Sequence, residues 1–461
     1  MWSGASAARY TDRQMTDDKT PIRPAYLLSI SLENVRCFGP EQHLDLSCDG
    51  GRPAQWTLIL GDNGTGKTTL LQLIAGFQVQ TVDGSDGRRL FLRNQRDEKA
   101  PHFLRADQPE LTATATYVSG SSLADAGRTI TSHCARKIQA DGIGFVDTTG
   151  FQTDILGDFF LLGYGASRRL TGTELKASES ANTTATLFDP DAGLLNAEEL
   201  LLRLDYRAMQ SGRSGRAQQR LEQVIEMLRG LLPDVSGVRI EPSDQDSPLR
   251  SGLEDSFRFQ TPYGEVPLRS LSLGYQTMIA WTVDMASRLL DRYPTSASPL
   301  HEHAVVLVDE IDLHLHPRWQ RQILDFLSQR FPNVQFIATA HSPLVVQAAG
   351  ERGVNLAVLR REGDHVVIDN DPKIVEGWRV DQILTSELFA GVDGARGPQT
   401  EQQLLRRRVL LMQSSRSLEE DEELAGLNKH LERLPTASSP EDQRAMELIR
   451  RAAALLERRS S

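Results

Sequence analysis

Cysteine is scarce: Cys37, Cys48 and Cys134 are the only three in 461 residues. None forms a C-x-x-C pair or stands near a histidine at zinc spacing, so a zinc centre and a disulfide framework are both excluded, leaving reduced cytosolic thiols. Long apolar runs are also missing. No stretch approaches the roughly 18 residues a membrane helix needs. Met1 to Pro24 is polar and has no apolar segment that could serve as a secretory signal. Residues 1–24 are therefore expected to be a disordered tail and the protein to be cytoplasmic, without a membrane partner. Positive charge is in deficit as well. The formal net charge is −11, which does not imply a non-specific nucleic-acid coat but leaves room for a local basic groove.

What is present suits a packed core: 39% hydrophobic and 25% charged residues. The length fits one large α/β domain with insertions, or two modest domains. Strand patterns occur at Tyr26–Val35, Trp56–Leu60, Leu111–Val118, Asp158–Gly163, Phe257–Gln260, His303–Val308 and Val334–Ala338. A hairpin is expected from Val354–Leu359 and Val366–Ile368. Helical patterns occupy Thr68–Gly76, Asn196–Leu232 with a hinge at Ser211–Gly215, Leu271–Leu290, Trp319–Phe331 and most of the chain beyond Gly377. Residues 81–110 and 171–194 read as loops, and Pro242–Glu254 as a polar stretch. There is no internal repeat. Strands alternating with helices predict an α/β sheet covered on both faces.

Gly61-Asp62-Asn63-Gly64-Thr65-Gly66-Lys67-Thr68 satisfies G-x-x-x-x-G-K-[ST] in full. Strand WTLIL precedes it and a helix follows, the context this phosphate loop requires. Gly61, Gly64 and Gly66 let the backbone curl, with Asn63, so that its N–H groups face phosphate oxygens. The helix adds its positive end, beginning at Lys67, Thr68 and Thr69. Lys67 is expected to reach the β- and γ-phosphates of ATP, and the Thr68 hydroxyl to ligate Mg²⁺.

Ala304–Glu310 (AVVLVDE) is an apolar strand ending in two carboxylates, placed where ligands bind in open α/β sheets. Asp309 is expected in the Mg²⁺ shell and Glu310 as the general base that polarises the attacking water. His341 directly follows the strand VQFIA, where it can reach a γ-phosphate or its water. His314 and His316 have an i, i+2 spacing that would suit a metal, but no cysteine or third histidine lies adjacent.

The order P-loop, Ser/Gly turn with helix, AVVLVDEIDLHLHP and IATAHSP resembles the ABC-type ATPase heads of the SMC and RecF class. Within that class it is similar to OLD-like AAA ATPases of bacterial anti-phage systems, the PtuA-like ATPase of Septu and retron-associated ATPases among them. The likeness covers roughly residues 26–392. Leu271-Ser272-Leu273-Gly274-Tyr275-Gln276 resembles the ABC signature LSGGQ, with Leu273 in place of one glycine. The resemblance implies a homodimer or higher homo-oligomer, head to tail, in which Ser272, Gly274 and Gln276 grip the γ-phosphate of the partner's ATP. It makes Asp312 part of the D-loop and His341 the switch histidine. Asn34-Val35-Arg36-Cys37-Phe38 resembles an element in which Arg36 contacts nucleotide phosphates. Leu162–Arg168 (LGYGASR) resembles a YG-x-x-R element of the PtuA-like group, with Arg168 either a phosphate or interface residue or a plain surface arginine.

The long coiled-coil arm of SMC proteins does not fit, because only short helices separate Lys67 from Ser272. A TOPRIM nuclease does not fit either: Glu362-Gly363 and Asp369-Asn370-Asp371 lie too close together. The expected fold is thus an α/β P-loop NTPase, an ABC-type ATPase head over 25–375. It carries an insertion at about 80–265, helical at 195–232, and a helical C-terminal region at 376–461 that is a candidate for partner docking. The expected function is ATP hydrolysis by a regulatory subunit of an anti-phage complex that gates a separate effector nuclease, with nucleic acid reached through the complex. The alternatives are a RecF/SMC-like repair ATPase acting directly on DNA, and a transporter ATPase.

Overall fold

The structure is a computed structural model and describes residues 24–48, 50–82, 89–92, 103–120, 122–124, 131–139, 144–147, 159–170, 182–231, 235–240, 257–372, 376–389, 396–413 and 415–431. The expected tail before Pro24 and the polar stretch Pro242–Glu254 lie outside these residues. The chain divides into two compact units, Met1–Ile383 with Leu388–Ala390, and Leu384–Glu387 with Gly391–Ser461.

In chain order, the larger unit holds strands β1 (Ala25–Glu33), β2 (Gln42–Asp45) and β3 (Trp56–Gly61), then helix α1 (Lys67–Ala75). Next come β4 (Glu110–Ser119), β5 (Thr131–Gln139), β6 (Gly144–Asp147) and β7 (Leu161–Tyr164). Helices α2 (Ala197–Gln210) and α3 (Gly215–Leu231) follow, then the small sheet β8 (Gly237–Ile240), β9 (Phe257–Thr261) and β10 (Gly264–Pro267). After it stand α4 (Leu273–Arg292), β11 (Ala304–Val308), α5 (Ile323–Arg330), β12 (Val334–Thr339), α6 (Pro343–Glu351), β13 (Asn355–Glu362) and β14 (His365–Asp369). In the smaller unit, α7 (Pro398–Met412) and α8 (Leu418–Leu431) pair through Arg406, which donates to both Glu423 carboxylate oxygens at 2.9 and 2.7 Å.

The central sheet has the order β7-β11-β12-β3-β13-β14. All neighbours are parallel except the edge strand β14. β3, β11 and β12 are apolar runs because both faces of a parallel sheet are covered. Trp56, Leu58 and Leu60 of β3 enter one core, together with Val306, Val308 and residues of α2–α5. Ile59, Val305, Leu307 and Ile337 enter the other, with β1, β4 and α1. Side chains alternate across each strand, so one apolar run feeds both cores. The expectation of a sheet covered on both faces, as in an α/β P-loop fold, is borne out.

The second core is roofed by an antiparallel sheet, β6-β5-β4-β1-β2. Gln335 ties the two sheets together from the second position of β12. Its amide donates to the Leu27 carbonyl at 2.7 Å and accepts from the Leu27 N–H at 2.9 Å. This satisfies the backbone of β1 where its register shifts between Leu27 and Ser29. A polar side chain with no solvent exposure is thereby fully paired.

Some elements differ from the sequence expectation. The stretch read as loop from 81 to 110 begins in a hairpin, Val79–Val82 with Arg89–Leu92. β5, β6, β8 and β10 had no apolar run to announce them. The 319–331 helix is two pieces, Pro317–Gln320 and Ile323–Arg330. Part of the surface loop expected at 171–194 is core instead: Thr184 and Leu187 are buried, and Gln72 of α1 donates to the Leu187 carbonyl at 2.7 Å.

Candidate nucleotide-binding site

Four chain segments leave the carboxyl ends of β3, β7, β11 and β12 on the same edge of the sheet. This is where an open α/β sheet presents ligand sites. The segment after β3 is the phosphate loop. Gly61, Gly64 and Gly66 take φ of 145°, 79° and 88°, values that side-chain-bearing residues rarely adopt. At Gly61 a Cβ would lie 2.7 Å from the Leu359 carbonyl oxygen, and at Gly66 it would strike the Cys37 sulfur. The loop can follow this path only with glycine at both places. α1 starts with no side-chain cap and no acidic residue in its first turn. Its uncapped N–H groups therefore make an anion cradle. Lys67 is buried and donates from Nζ to the carbonyls of Gly61 and Asp62, 2.8 Å each. Burial pushes its ammonium pKa down, and Asp309, Glu310, Asp62 and Asp312 oppose that shift.

The acidic strand end meets this loop. Thr68 Oγ1 donates to Asp309 Oδ2 at 2.7 Å. Asp309 Oδ1 accepts from Thr339 Oγ1, also at 2.7 Å. Thr339 in turn accepts from the Glu310 N–H at 2.7 Å. Both oxygens of Asp309 are thus oriented by hydroxyls, one from the P-loop and one from the end of β12. The Thr68 oxygen keeps lone pairs for a cation, and a hydroxyl beside a carboxylate suits a hard ion such as Mg²⁺. Glu310 is half-buried and has a left-handed backbone, φ 49°. Asp312 is buried, and its Oδ2 accepts from the His341 N–H at 2.9 Å. The segment after Glu310 and the second residue beyond β12 are therefore joined through backbone and carboxylate.

Arg36 also reaches the loop. Its Nη1 donates to Thr69 Oγ1 at 3.2 Å and its guanidinium lies 5.4 Å from the Phe103 ring centroid. Arg168 is no surface arginine: it is 3% exposed, and its Nη2 donates to the Glu310 carbonyl at 2.6 Å. Burial lowers its pKa to about 10, against the pull of Asp309, Asp312 and Glu310.

Ser272, Gly274 and Gln276 stand apart from this cluster. Ser272 caps α4, accepting from the Tyr275 N–H at 3.4 Å. A Cβ at Gly274 would strike the His314 carbonyl, so helix and loop approach closely only with glycine there. Gln276 turns back to donate to the carbonyls of Leu271 and Arg269, at 2.7 and 3.1 Å. Ser272, Gly274, His314, His316 and Arg318 line an open cavity of about 370 Å³. His316 caps the short helix after it, accepting on Nδ1 from the Arg318 N–H at 3.3 Å. Sequence reasoning missed Thr339. The available signal was a hydroxyl residue ending an otherwise apolar strand beside the Asp-Glu strand end.

Residues 175–347 match a family described as "AAA domain, putative AbiEii toxin, Type IV TA system", and residues 29–95 match one described as "AAA domain". The chain is 26% identical over 431 residues to the "Septu protein PtuA" of Bacillus mycoides (strain KBAB4), which covers 92% of this chain and 54% of that protein. It is 49% identical over 82 residues to the "Retron Vc95 probable ATPase" of Vibrio cholerae serotype O1 biovar El Tor, 18% of this chain and 16% of that one. The chain spans about half the length of the first relative and a smaller part of the second. The SMC head domain from Thermotoga maritima aligns with 75% of this chain and 98% of its own at 14% identity, with a TM-score of 0.39. The resemblance drawn from the motifs, to AAA ATPases of the Septu and retron-associated group, is borne out by the family matches and the relatives. ATP is the nucleotide such a family implies. No helix among the described residues is long and apolar enough to cross a membrane.

Proposed function

We propose that this chain hydrolyses ATP and serves as the regulatory subunit of a cytoplasmic bacterial anti-phage complex, gating a separate effector nuclease. The observation that carries the chemistry is the 2.7 Å contact between Thr68 and Asp309, with Glu310 next in sequence at the mouth of a glycine-built anion cradle. The likeness to Septu PtuA over 92% of the chain supports the biological setting.

In this reading the N–H groups of the P-loop and Lys67 hold the β- and γ-phosphates. Thr68 and Asp309 hold Mg²⁺, which when bound draws charge off the phosphate oxygens. Glu310 takes a proton from the attacking water, and His341 orients that water or the γ-phosphate. Arg36 adds positive charge beside Thr69. Ser272 and Gly274 of a second copy complete the site from the other side. The nucleotide then acts as a clamp between copies as well as a fuel.

The test is Glu310→Gln. It keeps the shape and hydrogen-bonding reach of the side chain but removes its basicity. ATP affinity is expected to persist while phosphate release falls by about 10²- to 10⁴-fold. Parent-level turnover would remove Glu310 from this role. Co-purification with a nuclease supports the gating reading. Salt-sensitive, ATP-dependent DNA binding by the isolated chain would point instead to a repair ATPase.

A further inference from the structure

Arg168 is a buried cation that the proposed reaction does not use. Among the described residues its Nε and Nη1 have no hydrogen-bond partner, and the one side-chain hydrogen bond, from Nη2, goes to the main-chain carbonyl of Glu310. The guanidinium lies 5.9 Å from the centroid of the buried Trp281 ring. Asp309, Asp312 and Glu310 attract this charge, but its burial outweighs them, so holding it with one side-chain hydrogen bond is costly, and an apolar side chain of similar volume can be as stable or more so. Packing alone therefore gives no reason for an arginine here.

The reason lies in what it holds. Glu310 occupies the left-handed backbone region at φ 49°, which a residue with a Cβ enters only when its surroundings fix it there. Both of its backbone polar groups are fixed by side chains from different segments. The N–H is held by Thr339 Oγ1, from the end of β12, and the C=O by Arg168, from the turn after β7, beside the Leu313 N–H, which donates to the same oxygen at 3.0 Å. A carboxylate that must meet a water in line with a phosphate depends on that backbone, because its own side chain is flexible.

We propose that Arg168 is a positioning residue that aims Glu310 by fixing its carbonyl. This rests on the reading of Glu310 as general base. The arginine works through the backbone of the base, without touching the nucleotide. Its buried charge is retained because an apolar replacement cannot donate to that carbonyl.

Arg168→Met tests this against a purely structural role. The structural role expects a lower melting temperature. The positioning role expects the opposite combination: thermal stability retained or raised, nucleotide affinity and KM within about twofold, and kcat lower by about 10- to 100-fold, the scale of a misaligned reacting group. In Arg168→Ala, added guanidinium should restore part of the kcat. On a Glu310→Gln background, Arg168→Met should lower the residual turnover no further, because the two act as one unit. Parent kcat in a folded Arg168→Met protein overturns the proposal. So does a fall in ATP affinity that matches the fall in kcat, or a loss that multiplies with that of Glu310→Gln. The failure of the underlying reading has its own signature: Glu310→Gln alone turning over at the parent rate.

Discussion

Thr68 and Asp309 stand 241 positions apart in the chain and 2.7 Å apart in the fold, hydroxyl to carboxylate. The contact closes the phosphate loop onto the acidic end of β11 and brings two oxygen donors to one point. Asp309→Ala should therefore raise the Mg²⁺ concentration needed for half-maximal turnover by about 10- to 100-fold, the range seen when supporting groups of a metal shell are removed. A Mg²⁺ titration of phosphate release checks this. An unchanged requirement would take Asp309 out of the shell.

Lys67 should couple nucleotide binding to protons. Burial holds its pKa below the ordinary lysine value of about 10.4. In stability terms the unfolded chain then binds this proton more tightly, so the group subtracts stability below its folded pKa, and the penalty fades as pH rises toward the ordinary value. Phosphate oxygens favour the charged form and raise the pKa again. ATP binding should thus draw in protons wherever the pH lies between the lowered pKa of the free protein and the value that the phosphates restore. Calorimetry in buffers of different ionisation enthalpy reads the uptake. Lys67→Ala should lose both the uptake and most of the affinity.

The parts of this site that were legible in the sequence are those built from consecutive residues. The P-loop is one octapeptide, and AVVLVDE states its own burial and its own acidic end. The same holds for β3, β11 and β12, whose apolar runs follow from being covered on both faces. Strands without such a run were not legible. β5 has a polar pattern, TSHCARKIQ, and pairs through its backbone. Arg168 and Thr339 were illegible as partners of Glu310 for a related reason. They sit 142 and 29 positions from it and meet its backbone, and a bond to a main-chain group leaves no mark on residue type. The loop reading of 171–194, of which 171–181 lie outside the described residues, failed at Thr184–Leu187 because polar residues there are paired inside: Thr186 donates to the Gly163 carbonyl at 3.1 Å.

Thr339→Val probes the other side of the same clamp. The replacement matches the shape of a fully buried side chain but leaves the Glu310 N–H without an acceptor and Asp309 Oδ1 without its donor. An orphaned buried polar group costs about 1–3 kcal/mol. Urea unfolding should show that loss, and turnover should fall with it, because both carboxylates lose a fixed neighbour. Full stability with full turnover would mean that the hydroxyl orders nothing.

Gly66→Ala should weaken ATP binding for two separable reasons. The left-handed backbone at φ 88° costs a residue with a Cβ about 1 kcal/mol or more. The added methyl would also strike the Cys37 sulfur. Cys37→Ala removes the sulfur and leaves the backbone cost, along with the Phe38 ring edge 3.1 Å from the added methyl. The double variant should therefore bind ATP more tightly than Gly66→Ala alone, though less tightly than the parent. Measured affinities of the four proteins form a cycle with a coupling term between contacting residues. Independent effects would show that the sulfur can move aside at no cost.

Ser272 and Leu273 bear on assembly. Ser272 is exposed at the N-terminus of a 20-residue helix, and Leu273 beside it is 60% exposed. Within its own chain this helix start packs on the His314 segment through Gly274, so its outward face remains for another surface. If ATP is held between two copies, Glu310→Gln with ATP and Mg²⁺ should sediment as a dimer, because the clamp is not released by hydrolysis. Ser272→Arg on that background places a bulky cation where the γ-phosphate of the partner's nucleotide would dock. The protein should then stay monomeric at concentrations where the single variant is dimeric. ATP affinity per monomer should change little, since the P-loop of the same chain is untouched. A Ser272→Arg variant that still dimerises with nucleotide would place the contact between copies elsewhere on the fold. Dimers of equal strength without nucleotide would remove ATP from the interface altogether.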